Sequence, residues 1–167
     1  MAFPDLGVGH RLTALDMTFI VPQVARKTSD TTLAVSSTTA QSDPDLTLPV
    51  VTGAVYWLSG HIFYIGSPGA IKTGYAIPAG ATLVYVDVAL HNSVTAASSG
   101  ITEHVIHGSA LTQKGYDATT EVGSIFSGVL TVSTTAGNIT FQAAQQTSNA
   151  TAPIIKAGSI LSLKRLS

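Results

Sequence analysis

The chain has 167 residues, of which 45% are hydrophobic and only 10% charged, against about 25% charged in ordinary soluble domains. A formal net charge of −1 leaves no basic footprint for nucleic acid. The absence of cysteine excludes a disulfide framework, a cysteine-based zinc site and thiol catalysis.

A chain of this length buries about 70% of its unfolded surface on folding, enough for one domain with a full core. Ser and Thr take the surface role that charges usually fill. That composition suits strands, and it also suits burial within a larger assembly. Residues 1–22 stand apart: they are apolar but interrupted by Pro4, Gly7, Gly9 and Pro22. Thr13 is placed to cap one or two helical turns running to Ile20. The segment reads either as a lead-in that covers a sheet edge or as an arm that docks on a partner. In the arm reading, Phe3, Leu6, Val8, Leu12, Leu15, Phe19 and Ile20 make the contact. The segment lacks the charged region and long apolar run of a signal peptide, so synthesis in the cytoplasm without general secretory export is expected. Nowhere do about 18 uncharged apolar residues run together, so no membrane-spanning helix is expected.

From Gln23 onward the pattern is β. Val24 and residues 31–37 read as strands, Ser42-Asp43-Pro44-Asp45 as a turn, and residues 45–50 as extended chain. Residues 54–66 form the most apolar strand. Val55, Trp57, Ser59, His61, Phe63 and Ile65 share one face, and Tyr56, Leu58, Gly60, Ile62 and Tyr64 share the other. Both faces are largely apolar, so this strand is expected to be covered twice, by a second sheet and by a neighbouring subunit. Ser67-Pro68-Gly69 and Pro78-Ala79-Gly80 are turns around a strand at 70–77. Residues 81–91 form a strong strand with Leu83, Tyr85 and Asp87 opposite Val84, Val86 and Val88. Residues 92–100 read as a loop, 101–107 as a short strand, and 110–120 as a loop or weak edge. A strand at 121–133 carries Gly123 and Gly128 as markers of bulges. Two terminal strands follow, 138–146 and 154–166. Ile139, Phe141 and Ala143 share a face of the first, while Ile160, Leu161, Leu163 and Leu166 weight the second. Eight to ten short strands separated by turn signals predict an all-β jelly-roll sandwich over 23–167. Tyr56, Trp57, Phe63, Tyr64, Tyr85 and Phe141 are expected to pack the core or a trimer interface.

No enzyme motif stands out. The glycines are scattered at turns and form no phosphate loop, and Gly108-Ser109-Ala110 lacks the spacing of a nucleophile elbow. Glu103, His104 and His107 are the best metal-ligand candidates, but on a strand His104 and His107 point to opposite faces. His61, beside Trp57 and Phe63, reads as a hydrogen-bonded core or interface residue. The aromatics lie within strand patterns, which favours packing over a sugar-binding platform. Two glycosylation sequons begin at Asn138 and Asn149, but without a secretory signal they carry little weight.

Several phrases point to a known family. They include Arg26-Lys27-Thr28, Ser36-Ser37-Thr38-Thr39, Asp43-Pro44-Asp45-Leu46, Ala54-Val55-Tyr56, Phe63-Tyr64 and Ile77-Pro78-Ala79-Gly80-Ala81. Near the end come Ala144-Gln145-Gln146-Thr147-Ser148-Asn149-Ala150-Thr151 and Ala157-Gly158-Ser159-Ile160-Leu161-Ser162-Leu163. Taken together the chain resembles a family of tailed-bacteriophage virion proteins common in phages of actinobacteria. That family often carries a Trp before the Ala-Gln step, where this chain has Ala143. The resemblance implies a single jelly roll similar to the tumour-necrosis-factor and complement-C1q (TNF/C1q-like) fold, which is usually a homotrimer. It implies a non-enzymatic capsid decoration protein that binds the major capsid protein on the outer surface of the virion and is made in the host cytoplasm. It brings no cofactor, no catalytic or metal residue, and no nucleic-acid or membrane partner. The alternative is a tail, fibre or head-surface adhesin for host surface or glycans. Against it, the polar loops at 92–100 and 147–151 carry no aromatic residue.

Overall fold

The computed structural model describes residues 17, 21–90, 101–108, 112–114 and 118–167, without the side chains of 90, 101–104, 107 and 112–114. The alternation in the sequence becomes twelve strands among these residues. They are β1 Gln23–Arg26, β2 Thr31–Thr32, β3 Gln41–Val50, β4 Val55–Ile65, β5 Ile71–Ala76, β6 Thr82–Leu90, β7 Ile101–His107, β8 Thr112–Lys114, β9 Glu121–Thr131, β10 Gly137–Gln145, β11 Ile154–Ile155 and β12 Ile160–Arg165.

The pairing follows one rule. β1 pairs with β12, β2 with β11, β3 with β10, β4 with β9, β5 with β8 and β6 with β7, all antiparallel. The chain is a long double ribbon folded back on itself at β6 and β7. Rolling that ribbon up lays its rungs side by side in two sheets. One has the order β1-β12-β4-β9-β6-β7 with β2 and β11 alongside, and the other runs β3-β10-β5-β8. This is a jelly-roll sandwich. The C-terminal strand lies between β1 and β4, so the end of the chain is held on both sides.

The core fills the space between the sheets. Tyr56, Leu58, Ile62 and Tyr64 of β4 point inward and are buried. Ile139, Phe141 and Ala143 face them from the other sheet, as their shared parity predicts. Tyr75 is the centre of an aromatic cluster, with ring centroids 5.2 Å from Tyr85, 5.4 Å from Phe126 and 5.9 Å from Phe141. The Tyr85 and Phe141 rings meet Tyr75 edge-to-face, and such a pair adds about 0.5–1.5 kcal/mol to the burial itself.

Several expectations need correction. Among the described residues there are twelve strands instead of eight to ten, because a short ladder forms at Thr112–Lys114 and the terminal stretch divides into Ile154–Ile155 and Ile160–Arg165. The predicted strand at 31–37 stops after Thr32, and Ser36 takes a left-handed conformation with φ 52°. The single terminal strand at 154–166 is two, split where Gly158 takes φ 89°. The Asp43-Pro44-Asp45 turn signal lies inside β3. There the register jumps from Ser42↔Gln142 to Thr47↔Thr140, so Asp43, Pro44, Asp45 and Leu46 all lie opposite Phe141 alone. The turn chemistry has made a bulge in an edge strand, where Pro is tolerated because no ladder bond is lost. Gly123 and Gly128, by contrast, mark no bulge, since the β4–β9 register is unbroken. Gly128 lets β6 approach: a Cβ there would lie 2.4 Å from both Tyr85 Cβ and Val84 O. Gly60 has the same function against β12, where a Cβ would meet Ile160 O at 2.1 Å.

Candidate functional site: the outer face of the eight-stranded sheet

Because the β4, β9 and β6 registers run without a break, residues of one parity line up in rows on the solvent side. Trp57 pairs with Val129 and Val129 with Val84; Ser59, Ser127, Val86 and Val105 form the next row, and His61, Ile125 and Val88 the third. On the far side of β4, Ser59 continues through Ser162 to Val24 on β1. The large apolar side chains on these rows are open to solvent: Trp57 is 46% exposed, Val84 43%, Val24 58%, Val105 64% and Ile125 67%. Six strands at the usual spacing make this face about 24 Å wide. Large apolar side chains gathered on one solvent face, rimmed by polar residues, are a feature of surfaces that meet a partner.

The polar side chains on this face include Ser59, Ser127 and Ser162 in its middle row and His61 in the third. His61 Nε2 lies 3.1 Å from Gly158 O, and its ring sits 4.7 Å from that of Phe63. The His61 expectation of a hydrogen-bonded residue matches this position. Phe63, half-buried, covers Gly123 across the strand, where a Cβ would lie 3.2 Å from its ring. Exposed cations mark the rim, with Lys164 opposite Trp57 and Arg26 at the end of β1.

The residues chosen from the sequence separate by parity. Tyr56, Tyr64, Tyr85 and Phe141 lie in the core. Burial first, and then the Asp87 carboxylate, push the hydroxyls of Tyr64 and Tyr85 far above the ordinary tyrosine range. Trp57 and Phe63 lie on the outer face. The arm residues Phe3, Leu6, Val8, Leu12, Leu15, Phe19 and Ile20 fall outside the described residues, as do the side chains of Glu103, His104 and His107. No cluster of three or more His, Asp or Glu placed to hold a metal occurs among the described residues. Val24, Val105 and Ile125 are not candidate site residues in the sequence, and Val84 appears there only on the strand parity opposite Leu83, Tyr85 and Asp87.

The phrases that carry the resemblance occupy structural positions. Gln145 is fully buried and holds the following loop: its amide donates to Asn149 O and Thr151 O at 2.9 Å, and its Oε1 accepts from Asn149 N at 2.9 Å. Ser159, also fully buried, accepts from Phe63 N at 3.0 Å and donates to Lys156 O at 2.8 Å. The phrases around Lys27 and Asp43 meet across the sandwich, with Lys27 Nζ 2.7 Å from Asp43 Oδ2 and 3.3 Å from Asp45 Oδ2.

No protein-family model and no curated protein matches this sequence. Among solved structures, the chain is similar to a structure of infectious bursal disease virus Gt strain, at 7% identity and TM-score 0.22, covering 86% of this chain and 40% of that one. It is also similar to infectious bursal disease virus VP2 in a subviral particle, at 11% identity and TM-score 0.21, covering 97% and 46%. The chain spans less than half the length of these neighbours. At such TM-scores the likeness carries no argument about function.

Proposed function

We propose that this chain is a non-enzymatic structural protein of a tailed-phage virion: a homotrimeric, TNF/C1q-like decoration protein that binds the major capsid protein on the outer surface of the head and stabilises the shell. The observation that supports this reading is the outer face just described. Trp57, Val24, Val84, Val105 and Ile125 are all exposed on this one face, and large aromatic and aliphatic side chains are what interface cores are rich in. A second copy of the chain is the natural occupant. In a cyclic trimer the face of one subunit meets a different surface of the next, and the contact closes after three. Three copies joined in this way would present three arms, residues 1–22, to the shell, and each docked arm would raise the effective concentration of the others.

The test is light scattering on the purified chain, followed by mixing with undecorated capsids and pelleting. A trimer that co-sediments to saturation is the expected result. A trimer left in the supernatant would favour the tail or adhesin reading. A monomer would overturn the assembly on which both readings depend.

A further inference from the structure

The cluster of Lys27, Asp43 and Asp45 has a geometry beyond that of a simple anchor. Lys27 is 0% exposed and Asp43 4%. The two sit on different sheets, Lys27 just past β1 and Asp43 in the bulge of β3. Bulges re-aim side chains, and this one points a carboxylate at a buried amine. Lys27 Nζ is 2.7 Å from Asp43 Oδ2, yet Oδ2 accepts no hydrogen bond, so the nitrogen lies close to the carboxyl group but outside hydrogen-bond geometry. The other oxygen, Oδ1, accepts the backbone N–H of Asp45 at 3.0 Å. A second carboxylate, Asp45 Oδ2, accepts from Lys27 Nζ at 3.3 Å and is 35% exposed. Thr31 Oγ1 receives a further Nζ hydrogen at 2.6 Å and fixes the amine. Beside Asp43 lies a cavity of ≈ 40 Å³ lined by Thr31, Leu33, Gln41, Asp43, Phe141 and Ile155. One water needs only about 10–15 Å³ of such space.

We infer that Lys27 and Asp43 are a modification site at which the chain forms its own isopeptide bond. A buried ammonium–carboxylate pair is costly, and in the first step one proton passes from Lys27 Nζ to Asp43 Oδ2, which leaves a neutral amine facing a neutral acid. The Nζ lone pair adds to Asp43 Cγ, and the π electrons of the Cγ–Oδ1 bond move onto Oδ1, where the Asp45 N–H stabilises the developing charge. Asp45 takes a proton from the added nitrogen and returns it to Oδ2. The carbonyl re-forms at Oδ1, the Cγ–Oδ2 bond breaks, and Oδ2 departs as water. The ammonium and carboxylate become one amide and one water, with charge and atoms balanced and no oxidant or reductant required. Holding the reactants in contact supplies what a bimolecular condensation in water lacks. The product ties the strand that follows residues 1–22 covalently to the opposite sheet.

Intact-mass measurement of the purified full chain tests this. The expected mass is lighter than the sequence by one water. Tryptic mapping is expected to show no cleavage after Lys27 and a fragment joined through Lys27 and Asp43. Asp45→Asn, which keeps the acceptor near Nζ but removes the proton shuttle, is expected to fold and keep the full sequence mass. Lys27→Arg should also keep the full mass and serves as the unlinked control. A folded wild-type chain at full sequence mass, cut normally after Lys27, would overturn the inference. An Asp45→Asn chain that still loses water through the same link would overturn the function given to Asp45.

Discussion

The two faces of β4 carry nearly the same hydrophobicity and meet opposite fates. Tyr56, Leu58, Ile62 and Tyr64 are at most 2% exposed, whereas Trp57 on the alternate parity is 46% exposed. Composition does not separate them. What separates them is which side the second sheet covers, and that is set by the rolling of the ribbon, not by β4 itself. The inner face is therefore a matter of folding and the outer face a matter of association. Substitutions on the two should fail in different assays.

The largest effect is expected on the inner face. Leu58 is fully buried, so Leu58→Ala should lower unfolding stability by about 2–5 kcal/mol in a urea titration, through lost transfer energy and the cavity left behind. A loss below about 1 kcal/mol would mean that the sandwich closes on the other parity. Gly128→Ala comes next. It leaves hydrophobicity almost unchanged but drives a methyl group into the Tyr85 and Val84 backbone region, where little can move. Overpacking of this kind costs about 1–3 kcal/mol. The β6–β9 pairing should loosen, read as faster amide exchange along 121–131 than along 137–145.

Much of the inner face could be read from the sequence. The period-2 pattern gave the buried parity of β10, and the turn signals placed most strand ends. The failures have a common cause: local chemistry was overridden by pairing partners far away in the chain. Asp43-Pro44-Asp45 has the chemistry of a chain reversal, but β10 on one side and Lys27 on the other hold it as a bulge within one strand. Gly128 was read as a bulge because its need for space comes from Tyr85, forty-three positions earlier. The outer face was only half legible. The apolar second parity of β4 was visible, but its continuation across β9, β6 and β7 required the register, which no single strand encodes.

Trp57→Ala sharpens the comparison from the other side. Its cross-strand contact with Val129 is worth about 0.2–1 kcal/mol within a subunit, so the monomer's melting should shift little. The proposed assembly should instead be weakened, seen as a fall in the mass measured by light scattering on dilution. A large loss of unfolding stability with unchanged mass would show that the outer face contributes to folding after all.

The smallest effect belongs to a pair outside both faces. Asp30 accepts from Lys156 Nζ and from Ala157 N at 2.8 Å, holding the turn between β11 and β12 against the segment after β1. The Lys156 hydrogen bond, followed by the Ala157 N–H, lowers the Asp30 pKa below its ordinary value. The Asp30 hydrogen bond likewise raises that of Lys156. The signs fix the pH dependence. A depressed carboxylate contributes stability that is present above its unfolded pKa, about 3.9, and is lost as pH falls through the lower folded value. The raised lysine contributes below about pH 10.4 and loses its contribution as pH rises through the folded value. Between those limits the pair should be insensitive to pH. Asp30→Asn retains an oxygen for Ala157 N but removes the charge, so wild type and variant should differ by a small constant amount from about pH 5 to 9 and converge in acid. Salt should shrink the difference, because the pair is open to screening. A gap that persists unchanged under acid would show that it does not come from the Asp30 charge and leave the ion pair without measurable weight.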